Sequence, residues 1–266
     1  MTEAADYPAR FGGIARVFGE AGLERLRRAH VAVVGLGGVG SWAVECLARS
    51  GVGEITLIDH DDICPTNVNR QIHALTSTLG RSKGEVLRQR VLDINPECRC
   101  LLIDDYLTTR TLEDYLGRGY DFVIDAIDSI KFKAAMIHWC RRNRIPILTT
   151  GGAGGMSDPT RIRIADLSRT VQDPLAAKVR QRLRQEYGFS RNPKRRFGVD
   201  CVFSEEQPVY PTGDGCVSHA KPGIHGVHLD CRLGYGSFSG VTAVFGFMAA
   251  ARVIERLLRR ESGSDD

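Results

Sequence analysis

A glycine-rich turn follows the apolar run Val31–Val34, and this turn most constrains what the chain can fold into. Its small residues are Gly35, Gly37, Gly38 and Gly40. Glycines at this spacing permit a tight strand-to-helix connection and let the backbone approach a phosphate at the helix N-terminus. Ser41 is the natural N-cap of that helix, because apolar residues recur at helical spacing after it. The turn therefore predicts a phosphate-binding unit of strand, turn and helix.

A second apolar run, Glu54–Ile58, delivers Asp59 about 20 residues after the glycines. A carboxylate at this place usually holds the hydroxyl groups of a ribose. By itself the pattern is the G-x-G-x-x-G fingerprint, which favours a protein that binds NAD or FAD. The fingerprint alone leaves the identity of the nucleotide open.

Charged and polar residues that a nicotinamide enzyme does not need follow the fingerprint. They are Asp61, Asn67, Arg70, Gln71, Lys83 and Asp128. Attack on the α-phosphate of ATP develops charge that arginine, lysine and a metal-bound carboxylate stabilise. Taken singly, Lys83 could be an ordinary surface lysine, and Asp128 could be a turn residue after a strand. Their joint spacing favours an enzyme that consumes ATP.

The rest of the chain alternates strand and helix patterns, which predicts one α/β domain over residues 1–266. We expect an open, doubly wound, mostly parallel sheet of the Rossmann-like type, with its site at the carboxyl edge and a C-terminal extension. A short basic helix at 21–29 precedes the first strand. In the extension, 203–238 is predicted as a flexible loop because it is rich in Gly and Pro, and 240–260 is predicted as a C-terminal helix.

Targeting and cysteine content point to the cytoplasm. The chain shows no export signal, and the weakly polar run 238–251 is too short to span a membrane. Its eight cysteines are therefore expected to be reduced thiols. The absence of a C-x-x-C pair among them argues against a zinc ribbon, so we predict no structural zinc.

Positive charge is concentrated in the segment Lys178–Arg196, which holds eight basic residues against one acidic residue. Such a concentration suits a polyanionic partner. The residues predicted to contact it are Lys178, Arg191, Lys194, Arg195 and Arg196. The alternative interpretation is a solvated, arginine-rich surface.

Several motifs carry a resemblance to a known family. The runs GLGGVGS, IDHDD, NVNRQ and DAID, together with Lys83, resemble the adenylating superfamily of ThiF, MoeB and the ubiquitin-activating enzymes. The runs RFGG, NRQIHAL, INPEC, TTGGAGG and GVDCVFS resemble the tRNA threonylcarbamoyladenosine dehydratases within it. The resemblance covers nearly the whole chain. It implies ATP-dependent dehydration of threonylcarbamoyladenosine beside the anticodon of tRNA, through adenylation of the threonyl carboxylate.

The resemblance also implies roles for single residues. Asp59 matches the ribose-binding carboxylate, and the turn from Gly35 to Ser41 matches the phosphate cradle. Asn67, Arg70 and Lys83 match the polar set around the triphosphate. Asp128 matches the carboxylate that approaches Mg²⁺, which makes Arg70, Lys83 and Asp128 the expected catalytic residues. The family further implies a homodimer, and it raises a monovalent cation and a cysteine desulfurase or sulfur-acceptor system as further partners.

The chain departs from ThiF and MoeB in two places. Their arginine that reaches into the neighbouring subunit's site corresponds here to Gly13, so Arg16 is the choice for that role and Arg10 is the alternative. Their paired zinc cysteines are missing. Cys231 is the candidate if a thiol takes part in the reaction, against the alternative of an inert thiol. A metal site is the weaker interpretation of the surrounding cluster Cys216, His219, His225, His228 and Cys231.

Two rival functions remain at this stage. An activator of a small β-grasp carrier protein would need a partner that ends in Gly-Gly and usually the zinc cysteines. A nucleotide-sensing module without turnover would not need Lys83 and Asp128 together.

Overall fold

The computed structural model describes residues 6–212, 214–220 and 236–259. Its helices are α1 Tyr7–Arg28, α2 Gly40–Arg49, α3 Lys83–Ile94, α4 Leu112–Leu116, α5 Ile130–Arg142, α6 Pro174–Glu186 and α7 Ser239–Arg259. Its strands are β1 His30–Val34, β2 Glu54–Ile58, β3 Arg99–Ile103, β4 Phe122–Asp125, β5 Ile147–Thr150, β6 Ile162–Asp166, β7 Asp200–Ser204, β8 Tyr210–Pro211 and β9 Val217–Ser218. None of the helices in these ranges is long and apolar enough to cross a membrane.

The main sheet has seven strands in the order β3-β2-β1-β4-β5-β7-β6 among the described residues. All neighbours pair in parallel except β6 with β7, so β6 is an antiparallel edge strand. This arrangement confirms the predicted open, doubly wound sheet. The strand order reverses between β1 and β4, and ligands of such sheets bind outside the carboxyl ends of the strands at that point.

Helices cover both faces of the sheet through apolar side chains. Both faces of the central strands β1 and β4 are therefore buried, so most of their residues are apolar. One face packs against α2, α3 and α7 through residues such as Val33 and Phe245. The other face packs against α4, α5 and α6 through residues such as Val34 and Ile137. The C-terminal helix α7 lies directly on α2, and a Cβ on its Gly246 would lie 2.5 Å from the carbonyl oxygen of Val39. The C-terminal extension therefore supports the helix that follows the glycine turn.

The first helix is longer than the predicted basic helix at 21–29. It begins at Tyr7 and bends at Gly19, where φ is 78°. Tyr7 and Phe11 form a small cluster of buried side chains with Leu23, so the first half of the helix is anchored to the second. Gly12 and Gly13 lie within this first half, and a Cβ at either position would meet nothing within 4 Å.

The predicted loop 203–238 begins too early. Phe203 and Ser204 belong to β7, which inserts between β5 and β6 and is buried from Cys201 onward. β7 was missed because its short apolar run stands beside a Gly- and Pro-rich stretch. Within the same predicted loop, β8 and β9 form a small antiparallel hairpin.

Candidate nucleotide site

The glycine turn joins the carboxyl end of β1 to the N-terminus of α2. Gly35 has a φ of 87°, and a Cβ there would lie 2.9 Å from Ile127 Cγ2. A Cβ on Gly40 would lie 1.8 Å from the carbonyl oxygen of Gly35. These two glycines are therefore required by close backbone packing. Because α2 begins here, its unpaired backbone N–H groups and positive dipole end face the predicted phosphate position.

Ser41 is not the N-cap of α2, contrary to the prediction. The helix begins at Gly40, and the backbone N–H of Ser41 already donates to the carbonyl oxygen of Gly37 at 3.1 Å. Its side chain is buried, and Oγ has no hydrogen-bond partner within the described chain. Its predicted role in phosphate binding stays a prediction.

Asp59 lies at the carboxyl end of β2 and is bonded to the glycine turn. Its Oδ2 accepts from the backbone N–H of Leu36 at 2.6 Å, and its Oδ1 accepts from Asp61 N–H at 2.8 Å. These contacts fix the carboxylate beside the turn. A carboxylate has about four lone-pair sites, so acceptor capacity remains for a ribose.

Lys83 is a nearly buried cation at the first position of α3. Its side chain is 7% exposed, and its Nζ donates to Asp61 Oδ2 at 2.7 Å. The backbone N–H of Lys83 also donates to the carbonyl oxygen of Asp61 at 3.0 Å. A lysine at a helix N-terminus is opposed by the helix dipole, and burial adds a desolvation cost. A charge kept there at such cost is suited to an anionic ligand.

His73 lies against Lys83 and is 2% exposed. Burial, and to a smaller extent the positive charge of Lys83, together lower its pKa to about 4. Neither ring nitrogen has a hydrogen-bond partner in the described chain. The ring is therefore neutral at pH 7 and adds no second positive charge beside Lys83. Sequence analysis gave no role to this histidine.

The turn after β2 brings Asn67, Arg70 and Gln71 to the glycines. Asn67 Oδ1 accepts from the backbone N–H of Cys64 at 3.0 Å, so this residue shapes the turn itself. The methylenes of Arg70 pass over Gly38, whose added Cβ would lie 3.1 Å from Arg70 Cγ. The Gln71 side-chain nitrogen lies 4.0 Å from the place of a Cβ on Gly37. Both side chains therefore border the predicted phosphate position.

Asp128 is exposed in the loop between β4 and α5. This loop abuts the glycine turn, because the backbone N–H of Ala126 donates to the carbonyl oxygen of Val34 at 2.9 Å. The structure thus brings Asp59, Arg70, Lys83 and Asp128 to one edge of the sheet. Asp128 has the donor chemistry of a Mg²⁺ ligand, although the described residues contain no group of three or more metal-ligating side chains.

A buried ion pair behind this loop was missed by sequence analysis. Asp125 Oδ1 lies 2.8 Å from Lys133 Nζ, and their side chains are 0% and 1% exposed. Burial raises the pKa of Asp125, while the Lys133 ammonium and the Thr149 hydroxyl oppose that rise. The available signal was the position of Lys133 in the first turn of the helix that follows the strand ending in Asp125.

The predicted tRNA-binding residues do not lie together. Asp173 caps α6 and accepts from the backbone N–H of Gly152 at 3.0 Å, so α6 begins at the carboxyl edge of the sheet and Lys178 lies near it. α6 then descends to the loop 187–199, which precedes β7 at the amino edge. That loop carries Arg191, Lys194, Arg195 and Arg196. Four of the five predicted residues therefore lie at the edge opposite the nucleotide site.

Both arginines considered for the contact with a second subunit lie on α1. Arg16 is exposed, and Arg10 donates to the carbonyl oxygen of Ile94 at 3.2 Å. Cys231, His225 and His228 lie outside the described residues. His219 Nδ1 is 3.2 Å from the carbonyl oxygen of Pro208. Burial raises the pKa of three other thiols, Cys98, Cys100 and Cys140, to about 12, which keeps them protonated and unreactive.

Comparison with known proteins agrees with this geometry. The family model described as ThiF family matches residues 13–265. A tRNA threonylcarbamoyladenosine dehydratase of Haemophilus influenzae is 52% identical over 263 residues, which cover 98% of each chain. The structure of the Escherichia coli tRNA N6-threonylcarbamoyladenosine dehydratase TcdA in complex with ATP superposes with a TM-score of 0.87 at 47% identity, over 99% of this chain and 100% of that chain.

A second structure of the Escherichia coli dehydratase, in complex with AMP, has a TM-score of 0.87 at 48% identity and covers 98% of this chain and 99% of that chain. These similar proteins match nearly the full length of the chain, and the Escherichia coli dehydratase is known in complex with ATP and with AMP. The resemblance inferred from the motifs is confirmed. This chain belongs to the ThiF family and, within it, to the tRNA threonylcarbamoyladenosine dehydratases.

Proposed function

We propose that this chain dehydrates threonylcarbamoyladenosine in tRNA at the expense of ATP, by adenylating the threonyl carboxylate. The observation that carries the proposal is Lys83, a 7%-exposed cation that Asp61 holds beside the glycine turn. The activity named for the relatives and the ATP and AMP complexes of the Escherichia coli dehydratase support it. A dinucleotide-binding oxidoreductase has no use for this cation.

Activation is needed because a carboxylate would have to expel oxide to react. In the first step a carboxylate oxygen attacks the α-phosphorus of ATP, a P–O bond forms, and pyrophosphate leaves. Lys83 and Arg70 stabilise the charge that develops on the phosphorus and on the leaving group. Asp59 and the glycine turn orient the nucleotide. The product of this step is an acyl-adenylate.

Ring closure follows within the same side chain. The carbamoyl group attacks the activated carbonyl carbon, a proton is lost from that group, and AMP leaves with the former carboxylate oxygen. The nucleoside therefore loses one water overall, while ATP becomes AMP and pyrophosphate. Because the nucleophile is tethered, its effective concentration far exceeds that of an external nucleophile. A protein thiol is then not required, which ranks Cys231 below Lys83.

Mg²⁺ enters this scheme with ATP as part of the substrate. Asp128 supplies an exposed carboxylate, and a Mg²⁺ bound to nucleotide phosphates usually takes only one or two protein carboxylates. The donor set therefore fits MgATP. The metal's contribution would be to neutralise charge on the phosphates.

The direct test is mass spectrometry of nucleosides from tRNA incubated with the protein, ATP and Mg²⁺. We expect threonylcarbamoyladenosine to decrease and a nucleoside lighter by one water to increase, only when ATP is present. The rival activator of a β-grasp carrier protein predicts no change in the nucleoside. It predicts instead ATP–pyrophosphate exchange that depends on a carrier ending in Gly-Gly.

We further propose that the amino-edge basic residues bind the body of the tRNA. α6 has 13 residues and is about 20 Å long, so the loop that follows it lies far from the nucleotide site. Basic residues from another element join it there, since the Arg141 guanidinium lies beside Gly198 and Arg169 donates to the carbonyl oxygen of Lys194 at 3.3 Å. The reacting nucleotide must reach the carboxyl edge, so the opposite edge suits phosphates remote from it.

The test compares two RNA substrates. Changing Arg191, Lys194, Arg195 and Arg196 together to Gln should raise KM for full-length tRNA and flatten its salt dependence. A short anticodon hairpin should be used equally well by the wild type and the variant. Equal KM and salt slope on full-length tRNA would return these residues to the solvated-surface interpretation. A matched loss on both RNAs would place the contact within the anticodon hairpin.

We also propose a homodimer, to which α1 would contribute Arg16. The argument from excess apolar surface on the C-terminal helix is weaker than the sequence suggested, because α2 covers much of α7 and buries Phe245 and Val253. Phe247 on α7 is 40% exposed, whereas two adjacent apolar residues are exposed on α1, Val17 at 70% and Phe18 at 43%. Light scattering should give twice the chain mass, and Val17→Asp should reduce it toward the chain mass.

A further inference from the structure

The buried ion pair of Asp125 and Lys133 extends to a third side chain. Thr149 Oγ1 donates to Asp125 Oδ2 at 2.6 Å, and Lys133 Nζ donates to the same hydroxyl at 3.1 Å. All three side chains are at most 1% exposed. Burying an ion pair costs desolvation free energy, and well-packed apolar replacements are often as stable. The placement of this pair therefore calls for a reason other than stability.

Lys133 closes both ends of the loop that carries Asp128. Its backbone N–H donates to the carbonyl oxygen of Ser129 at 2.8 Å, just after Asp128. Its Nζ donates to the main-chain oxygen of Asp125 at 3.4 Å, just before the loop. Asp125 Oδ1 in turn accepts from the backbone N–H of Ile127 at 3.3 Å. The ion pair thus fixes the start of the loop, through Asp125 and the backbone N–H of Ile127, while the first backbone hydrogen bond of α5 fixes its end at Ser129.

The same loop is packed against the glycine turn. The place of a Cβ on Gly35 lies 2.9 Å from Ile127 Cγ2 and 3.0 Å from the backbone carbon of Ala126. Any shift of the loop would therefore move Asp128 relative to the phosphate position. Lys133 itself is too deeply covered to touch a nucleotide, so its effect must pass through Asp125 and the loop.

We propose that Asp125, Lys133 and Thr149 are positioning residues that set the place of Asp128 for the Mg²⁺ of bound ATP. The inference rests on the proposed role of Asp128. It assigns a function to three residues that would otherwise serve only to join β4, β5 and α5.

Thr149 offers a matched pair of variants. Thr149→Val keeps the shape and removes the hydroxyl, whereas Thr149→Ser keeps the hydroxyl and removes a methyl group. The measured quantity is the Mg²⁺ concentration that gives half of the ATP-induced rise in Tm, together with kcat and KM for ATP. Residues that orient a metal ligand typically change metal affinity by 10- to 100-fold. We expect Thr149→Val and Lys133→Met to raise this Mg²⁺ concentration by about tenfold, and we expect Thr149→Ser to leave it near the wild-type value.

A buried carboxylate that pairs with two partly exposed arginines provides the control for stability alone. Glu45 on α2 pairs with Arg49 at 2.7 Å and with Arg90 at 2.6 Å, and its side chain is 5% exposed. Glu45→Gln should lower Tm without changing the Mg²⁺ dependence. If Lys133→Met does not fold, the two Thr149 variants decide the question.

Unchanged Mg²⁺ dependence in folded Thr149→Val would overturn the proposal, as would an equal shift in Glu45→Gln or in Thr149→Ser. An Asp128→Ala variant with wild-type Mg²⁺ dependence would remove its basis. The binding readout uses ATP and Mg²⁺ without tRNA. A wild-type protein that binds MgATP but leaves tRNA unchanged would therefore contradict the proposed function and not this inference.

Discussion

At the scale of single residues, the site has a lysine at a helix N-terminus, where the helix dipole disfavours positive charge. Lys83 stands at the first position of α3, nearly buried, and its partner Asp61 is 53% exposed. The exposed partner can leave the ammonium for solvent when an anion arrives, whereas the buried lysine stays in place. Under the proposed function, Lys83 would exchange this carboxylate for the phosphates of ATP.

Lys83→Ala should lower kcat by roughly a hundredfold, which corresponds to about 3 kcal/mol of lost stabilisation of the transition state. The reason is that the developing charge on the phosphates loses a preorganised cation. Arg88→Ala is the control, because Arg88 is an exposed cation on the same helix that pairs with Glu85. Steady-state kinetics of pyrophosphate release measure both variants, and equal turnover in Lys83→Ala and Arg88→Ala would contradict the assignment.

His73 should make the fold acid-sensitive. Its pKa is about 4 in the folded chain and near 6.5 when unfolded, so the unfolded chain binds more protons between these values. The free energy of unfolding should therefore fall as pH falls from 6.5 to 4, by on the order of 3 kcal/mol from this residue. Urea denaturation at several pH values should show a smaller fall in His73→Leu.

Leu87→Ala serves as the control for the histidine, because it destabilises a buried position on α3 without changing a titratable group. It should lower the free energy of unfolding about equally at every pH. A His73→Leu protein with the same pH dependence as wild type would show that the histidine is not buried in its neutral form.

The positions of some site residues could be predicted from the sequence, and the contacts of others could not. The edge that holds Asp59, Lys83 and Asp128 follows from strand order and residue type, since the carboxyl ends of parallel strands meet. The Asp125–Lys133 pair was harder to predict, because the position of Lys133 in the first turn of α5 does not by itself show that its side chain returns into the sheet. The capping role expected for Ser41 was wrong because the N-cap is Val39, two residues earlier, and the helix begins at Gly40.

At the scale of elements, the glycine turn is the best-determined unit. Gly40 meets the backbone of Gly35, so its lack of a side chain is a packing requirement and not only a means of flexibility. A Cβ on Gly12 or Gly13 in α1 would meet nothing within 4 Å. The same residue type therefore predicts opposite effects at the two places.

Gly40→Ala should destabilise the fold by about 3 kcal/mol, because the new methyl group overlaps backbone that has no room to move, and it should abolish ATP binding. Gly12→Ala should be neutral or stabilise by up to about 0.8 kcal/mol, because alanine favours a helix and has open space there. Chemical denaturation and ATP-induced shifts in Tm measure both. Equal effects of the two substitutions would refute the packing argument.

Element boundaries were predictable where periodicity was long. The pattern in α3 and α7 was sufficient, whereas β7 was hidden because only Cys201, Val202 and Phe203 form its apolar run. The first half of α1 was also missed, because the predicted basic helix began only at residue 21. Tyr7, Phe11 and Ala15 have helical spacing and form the buried face of that half.

At the scale of the whole molecule, the sheet separates the two proposed binding regions. The proposed nucleotide site lies at the carboxyl edge, and the basic loop 187–199 lies at the amino edge near β7. Strands of four or five residues are about 15 Å long, so the separation is comparable to the length of the sheet. A large RNA can contact both edges at once, whereas a small carrier protein could not use the distant charge as readily.

The central claim is that the threonyl carboxylate attacks the α-phosphorus of ATP. Threonylcarbamoyladenosine tRNA whose threonyl carboxylate carries ¹⁸O in both oxygens tests this most directly. After one turnover, mass spectrometry should find one ¹⁸O in the phosphate of AMP and the other in the cyclised nucleoside, with none in pyrophosphate. Label in pyrophosphate or inorganic phosphate, or unlabelled AMP beside a dehydrated nucleoside, would contradict the account.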